Sequence, residues 1–232
     1  MGLAWAYSCL MNTALALLRA SHFPQTLAMT VFLAAAAAVT AVQGWQLVLF
    51  ILAVLSGQLS VGWMNDFVDA KLDQSVSRSE KPVVTGALSQ SSLKVPIAIA
   101  LVLTIPLSIL AAGWIGGLAH VAAVASAHVY NFYLSRTIWS WLPYVVSFAL
   151  LPLFVAQAAS NSLFPELPMI VLFALVGFIA HLLNALPDIE IDRQAGKGGL
   201  AVSLGRKRTL AFVVVFSVAA LAVLLYMLLG SA

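Results

Sequence analysis

Apolar stretches of about 20 residues, separated by short polar or glycine- and proline-containing connectors, make up most of the chain. A helix of that length crosses the hydrocarbon layer of a bilayer, whereas a transmembrane barrel would show shorter segments of alternating polarity. The pattern predicts seven spanning helices, over 24–42, 46–68, 95–112, 114–133, 138–158, 167–188 and 209–229. Gly44, Gly113, Pro165, Pro168 and the stretch 196–199 punctuate them. Residues 1–18 are also apolar but lack the basic start and small-residue cleavage site of a signal peptide. They read as an interfacial helix, with an eighth span as the alternative. The whole of 1–232 reads as one membrane-embedded, all-α domain.

Composition agrees. Of 232 residues, 62% are hydrophobic and 8% charged, against roughly a half and a quarter in soluble domains. A soluble globule this short could not hide so much apolar surface, and a disordered chain would not carry it. Cys9 is the single cysteine, which excludes an intramolecular disulfide and a cysteine-built metal site. The net charge of +3 is too small to signal a nucleic-acid partner.

The placement of charge says more than its sum. The 11 basic residues are Arg19, Lys71, Arg78, Lys81, Lys94, Arg136, Arg193, Lys197, Arg206, Lys207 and Arg208. In the seven-span topology all of them fall on one side, and the connections near 43–45, 113 and 159–166 hold none. The positive-inside rule makes the charged side cytoplasmic, with the plasma membrane as the expected location. An additional first span would end at Arg19 and leave this sidedness unchanged.

The acids share that side, Glu166 excepted, although sorting by positive charge does not require it. Asp66, Asp69 and Asp73 are spaced i, i+3, i+7, so they share a helix face if the second span continues through them. Asp188 and Asp192 are i, i+4, and Glu190 points away. Four predicted spans separate the clusters, and an even number returns the chain to the same surface. Five carboxylates can therefore converge on one cavity.

Such a gathering is costly by itself. Two like charges 4 Å apart repel by about 1 kcal/mol in water and about 4 kcal/mol at an effective dielectric of 20. Helix C-termini already carry partial negative charge. Hard oxygen ligands suit Mg²⁺, which commonly bridges carboxylates to phosphate. The expected occupant is Mg²⁺ with a phosphorylated substrate. Asn65 either ligates the metal or orients a ligand. Arg78 and Lys81 follow the first cluster, Arg193 and Lys197 the second, and Arg136 ends the fourth span. They suit an ionised diphosphate. On charge alone, topology anchoring explains Lys81 and Arg136 equally well. It explains the 206–208 triplet better, and Glu80 and Glu190 read as solvated or locally paired.

Polar residues also rise into the apolar layer. His181 and Asn184 continue the face of Asp188 and Asp192, and Gln58 lies two turns before Asp66. Such residues line cavities or bond between helices. Asn184 reads as cavity lining, and His181 fits either role. His128 and Tyr130 are further candidates, His22 reads as an interfacial anchor, and His120 as structural.

The form N-D-x-x-D-x-x-x-D over 65–73, with D-x-x-x-D over 188–192, resembles the paired motifs of the UbiA superfamily of intramembrane prenyltransferases. The stretch K-P-V-V-T-G over 81–86 resembles its basic-Pro-x-x-x-Gly segment. Tyr130 and Asn131 with Arg136 resemble the end of its fourth helix, and Arg19 the basic residue before its first. The resemblance runs over about 19–210. It implies about seven transmembrane helices around a central cavity. It also implies Mg²⁺ held by Asn65, Asp66, Asp69, Asp73, Asp188 and Asp192, the five aspartates being catalytic, and an isoprenyl diphosphate donor. Lys81 and Arg136 match diphosphate-binding positions. Arg78, Tyr130, Asn131, Asn184 and Lys197 complete the candidate substrate-binding set.

Against the family's usual nine spans, this sequence is expected to lack the last two helices. Oligomerisation into a homo-oligomer could supply the missing wall. Lys81 stands where Arg is commoner, and Ser135 where a basic residue is common, which leaves Arg136 as its substitute.

The expected reaction is Mg²⁺-dependent transfer of a prenyl group to an aromatic or lipophilic acceptor within membrane lipid. Charge on the departing diphosphate is stabilised by metal and basic groups, and the allylic cation is shielded from water. The alternatives are phosphoribosyl transfer to a polyprenyl phosphate, a non-catalytic membrane partner subunit, and a transporter. A transporter fits poorly with acids crowded at one surface.

Overall fold

In the computed structural model, residues 2–160 and 163–230 are described, and their regular structure is helical. Helix α1 (Gly2–Ala20) meets α2 (Phe23–Val39) at a bend, the segments Met11–Ala20 and Phe23–Val39 lying 69° apart. His22 takes the left-handed conformation at that bend (φ 52°, ψ 50°), and Pro24 opens the next helix, where its missing N–H costs nothing. Helix α3 (Gly44–Ser75) runs well past the predicted limit at residue 68 and carries the first acidic motif on its last turns.

Helix α4 (Lys94–Val129) is broken at Ala112 (φ −142°, ψ 20°) and Gly113 (φ 65°, ψ −173°). The positive φ at Gly113 is one that side-chain-bearing residues rarely adopt. The two arms, 94–111 and 114–129, fold back on one another. Ser108 Oγ lies 2.7 Å from His120 Nδ1 across the hairpin. A Cβ added to Gly117 would sit 2.7 Å from Ile109 Cα. A π-turn (Tyr130–Leu134) follows, then α5 (Leu142–Ala159), α6 (Leu167–Ala185), the short α7 (Ile189–Gln194) and α8 (Leu200–Gly230).

Among the described residues, five helical runs are long and apolar enough to cross a membrane, and the bent α1–α2 pair makes a sixth. That count takes 90–134 as one run, so the hairpin at Gly113 supplies a seventh crossing. Further predicted boundaries move, the last helix beginning at Leu200 rather than 209. The sixth span stops at Ala185 rather than 188, because Pro187 has no N–H to continue the ladder. The fifth begins at Leu142 rather than 138, after a chain of tight turns from 135 to 141.

The larger of two apolar core clusters lies at the end of the bundle away from the acids, and a smaller one, with Ala20, Ala70, Val83 and Leu93, lies at the acidic end. Leu33, Phe50, Val54, Ala111 and Phe154 are buried together in the larger. The ring of Phe154 stacks between Phe50 and His120, with centroids 4.4 Å away on each side. Gln46 Nε2 donates 2.9 Å bonds to the carbonyls of both Ala111 and Ala158, satisfying two helix C-termini with one amide. Small residues allow close helix approach, as in other membrane bundles. The Cβ that Gly62 lacks would overlap the carbonyl of Ser21, which seats the α1–α2 bend on α3. Trp63 Nε1 donates to the Leu17 carbonyl at 2.8 Å, fastening α1 to the same helix. Large apolar side chains such as Val102, Leu110, Val218 and Leu225 are exposed, as lipid-facing positions must be.

Candidate active site

The continuation of α3 to Ser75 puts Asp66, Asp69 and Asp73 on one inward face, where they are 1%, 4% and 4% exposed. Three buried carboxylates require neutralisation, since an unpaired buried charge is strongly destabilising. Four basic side chains neutralise them, Arg78, Lys81, Arg136 and Lys197, with His22 beside the second. Lys81 Nζ makes a short bond to Asp66 Oδ1, and His22 Nε2 lies 3.1 Å from the same oxygen and 2.8 Å from Lys81 Nζ. Asp69 accepts from Arg136 Nη2 at 3.1 Å and from Lys197 Nζ at 3.0 Å. Asp73 Oδ1 lies 3.5 Å from Arg78 Nε.

The second motif meets the first through Arg78. The turn after α6 presents Asp188 just before α7, and the first turn of α7 presents Asp192. Arg78 Nη1 lies 3.5 Å from Asp188 Oδ2, and Nη2 donates to Asp192 Oδ1 at 3.0 Å. Burial pushes the Asp192 carboxyl above its ordinary value, and Lys197 and Arg78 oppose the rise. The two motifs thus face one another across basic side chains.

Beneath this charged layer lies a neutral one. Asn65 Nδ2 donates to Asn131 Oδ1 at 3.3 Å, and Asn131 Nδ2 donates to the Val61 carbonyl at 3.0 Å. The π-turn makes this register: its wide loop swings Asn131 onto α3, a distortion often found at functional sites. Tyr130 meets Tyr144 edge-on, with centroids 5.2 Å apart, and Asn184 Nδ2 donates to the Tyr144 hydroxyl at 3.2 Å. His181 is buried beside both tyrosines, with Nε2 3.1 Å from Ser140 Oγ.

Every candidate site residue from Asn65 to Lys197 therefore falls in this charged end or in the layer below it. Asn131 touches backbone and Asn65, so its contacts position other groups. Arg193 departs from the expectation for a diphosphate donor. Its Nη1 pairs with Glu190 at 2.9 Å and its Nη2 donates to the Val202 carbonyl, which directs it away from the aspartates. Glu190 accordingly forms the local pair expected of it.

His22 was missed, since its approach to Asp66 is made by the α1–α2 bend. Its signal was its position just before Pro24, at a break between two apolar stretches. Arg206, Lys207 and Arg208 are exposed, as expected of anchors. His128 bonds Ser60 Oγ through Nε2 at 3.2 Å. A cavity of about 620 Å³ opens between α1 and the 79–87 loop, with Arg19 and Glu80 in its wall, and none of the five aspartates lines it.

The donor set for a metal consists of hard carboxylate oxygens. Among the described residues no three acidic or histidine side chains already form a metal cluster, and basic groups lie between the carboxylates. Asp66 Oδ2 is buried with no hydrogen-bond partner.

Solved structures share this architecture. A UbiA homolog from Archaeoglobus fulgidus bound to DMAPP and Mg²⁺ is similar with a TM-score of 0.78 at 18% identity, over 92% of this chain and 78% of that one. The same homolog bound to GPP and Mg²⁺ gives 0.77 at 18% identity, over 93% and 78%. A structure of digeranylgeranylglyceryl phosphate synthase gives 0.66 at 15% identity, over 94% and 78%. No curated protein matches the chain by sequence. The model of the UbiA prenyltransferase family matches residues 27–232, and the chain belongs to that family.

Proposed function

We propose that this protein is a Mg²⁺-dependent intramembrane prenyltransferase that moves a prenyl group from an isoprenyl diphosphate to an aromatic or lipophilic acceptor. The observation that carries the reading is the convergence of Asp66, Asp69 and Asp73 with Asp188 and Asp192 at one end of an apolar bundle, interleaved with Arg78, Lys81, Arg136 and Lys197. The family relationship and the prenyl diphosphates and Mg²⁺ in the similar structures support it.

The residues fit Mg²⁺. Carboxylate oxygens are its preferred ligands, and the unpartnered Asp66 Oδ2 is an acceptor in want of a cation. Asp66, Asp69, Asp73, Asp188 and Asp192, with Asn65, would hold it. Bound there, it would act as Lewis acid and template for the departing diphosphate. Arg78, Lys81, Arg136 and Lys197 carry the charge and reach to bind diphosphate oxygens. Asn131 orients Asn65 through the bond between their amides. The faces of Tyr130 and Tyr144 flank the inner layer, where aromatic rings stabilise a nearby cation. The surrounding helices keep water from an allylic cation. The distribution of Lys and Arg supports a site on the cytoplasmic face, and we assign the protein to the plasma membrane.

The test is turnover by purified protein given labelled DMAPP or GPP, Mg²⁺ and a panel of aromatic and lipid acceptors, read by mass spectrometry and diphosphate release. Prenylated product is expected, stopped by EDTA and lost in Asp66→Ala and Asp188→Ala. Turnover unaffected by either substitution would overturn the reading.

A further inference from the structure

Arg78 has contacts that no other basic residue of the site shares. Its three guanidinium nitrogens approach three carboxylates: Nε to Asp73 at 3.5 Å, Nη1 to Asp188 at 3.5 Å and Nη2 to Asp192 at 3.0 Å. It is therefore the one described side chain that pairs with both acidic motifs, and it is only 13% exposed. A divalent ion drawing oxygens from both motifs would need them within about 2.0–2.1 Å of a common point. The guanidinium stands between those oxygens, so ion and Arg78 cannot occupy the place together.

The neighbouring acids repeat the pattern. Lys197 and Arg136 cover both oxygens of Asp69, and Lys81 with His22 covers one oxygen of Asp66. Without a ligand, the charges of the site largely close on themselves. Metal alone would neutralise the carboxylates and leave the displaced Arg78 without an anion. Diphosphate alone would meet five carboxylates. Only the two together give every charge a partner, with Arg78 moving from carboxylate to phosphate oxygens.

We propose that Arg78 is a resident substitute for the divalent ion, bridging the two acidic motifs at rest and making metal and diphosphate bind cooperatively. This rests on the prenyltransferase reading above and adds how the donor site loads. By linkage, the ion raises diphosphate affinity by the same factor that diphosphate raises ion affinity. A residue whose task was only to brace the motifs would behave in the opposite way on removal, since loss of the brace would weaken ion binding.

The experiment uses the full chain in detergent. Mn²⁺ binding is read from the free-ion paramagnetic resonance signal for wild type, Arg78→Gln and Arg78→Lys. Retention of labelled inorganic pyrophosphate is read by equilibrium dialysis with and without Mg²⁺. Arg78→Gln should bind Mn²⁺ alone more tightly than wild type, by about tenfold or more. Arg78→Lys, which keeps the charge but loses the fork, should fall between them. Wild type should retain pyrophosphate only when Mg²⁺ is present.

Equal or weaker Mn²⁺ binding by both variants would overturn the proposal while leaving the prenyltransferase reading intact, provided wild type still retains pyrophosphate with Mg²⁺. Retention without any divalent ion would also overturn it, and needs no variant. Failure of wild type to retain pyrophosphate in Mg²⁺ would remove both readings.

Discussion

Lys197 Nζ donates to Asp69 Oδ2 at 3.0 Å, tying the loop behind the second acidic motif to the centre of the first. Gly198 makes the approach possible, because a Cβ there would overlap the Arg136 carbonyl. Lys197 is largely shielded, whereas Arg136, on the other oxygen of Asp69, is half exposed. Both Lys197→Ala and Arg136→Ala should lower kcat/KM for the prenyl diphosphate. Their stabilities should differ. Arg136 is half exposed to screening and its loss leaves Asp69 paired with Lys197, so Arg136→Ala should cost about 1 kcal/mol or less and stay within about 4 °C of the wild-type melting temperature. Lys197→Ala should melt lower than that, which differential scanning fluorimetry in detergent would read.

Chelation gives a second expectation. EDTA should abolish diphosphate release, and excess Mg²⁺ should restore it. Asp66→Asn keeps the shape of the side chain but removes its charge, leaving Lys81 without its anion. Turnover should fall by roughly 100-fold or more, equivalent to about 2.7 kcal/mol of transition-state stabilisation. Full activity of Asp66→Asn at saturating Mg²⁺ would contradict a ligand role.

Gly62 provides a test of how the site is framed. Gly62→Ala places a methyl group against the Ser21 carbonyl and must push the α1–α2 bend off α3. Overpacking of this kind costs about 1–3 kcal/mol. The same shift would draw His22 from Asp66. Both the melting temperature and donor affinity should therefore drop, and a variant that melts like wild type would show that the bend can yield.

Gln46 is the control at the far end. Gln46→Ala leaves the Ala111 and Ala158 carbonyls without their shared donor. A buried unsatisfied group costs about 1–3 kcal/mol. Thermal stability should fall while kcat/KM holds, because the amide lies at the opposite end of the bundle from the aspartates.

Much of this was readable from spacing. The i, i+3, i+7 pattern of Asp66, Asp69 and Asp73 holds because α3 runs on to Ser75, and helical periodicity is a local property. Gly113 marks the hairpin for an equally local reason, a backbone conformation suited to glycine. What escaped depends on tertiary geometry. His22 reaches Asp66 only through a 69° bend between helices. Arg193 and Lys197 are alike in sequence context, yet one turns to Glu190 and the other to Asp69. Asn131 faces α3 because of the π-turn, which shifts the ordinary helical register.

The mesh of charges also has an order in time. Synthesis delivers Arg78 and Lys81 shortly after the first acidic motif, so the counterions of Asp73 and Asp66 lie within the first 81 residues. Asp69 has none until Arg136 and Lys197 emerge. Asp69 thus ties α3 to the later parts of the chain, through Arg136 after the π-turn and Lys197 behind the second motif.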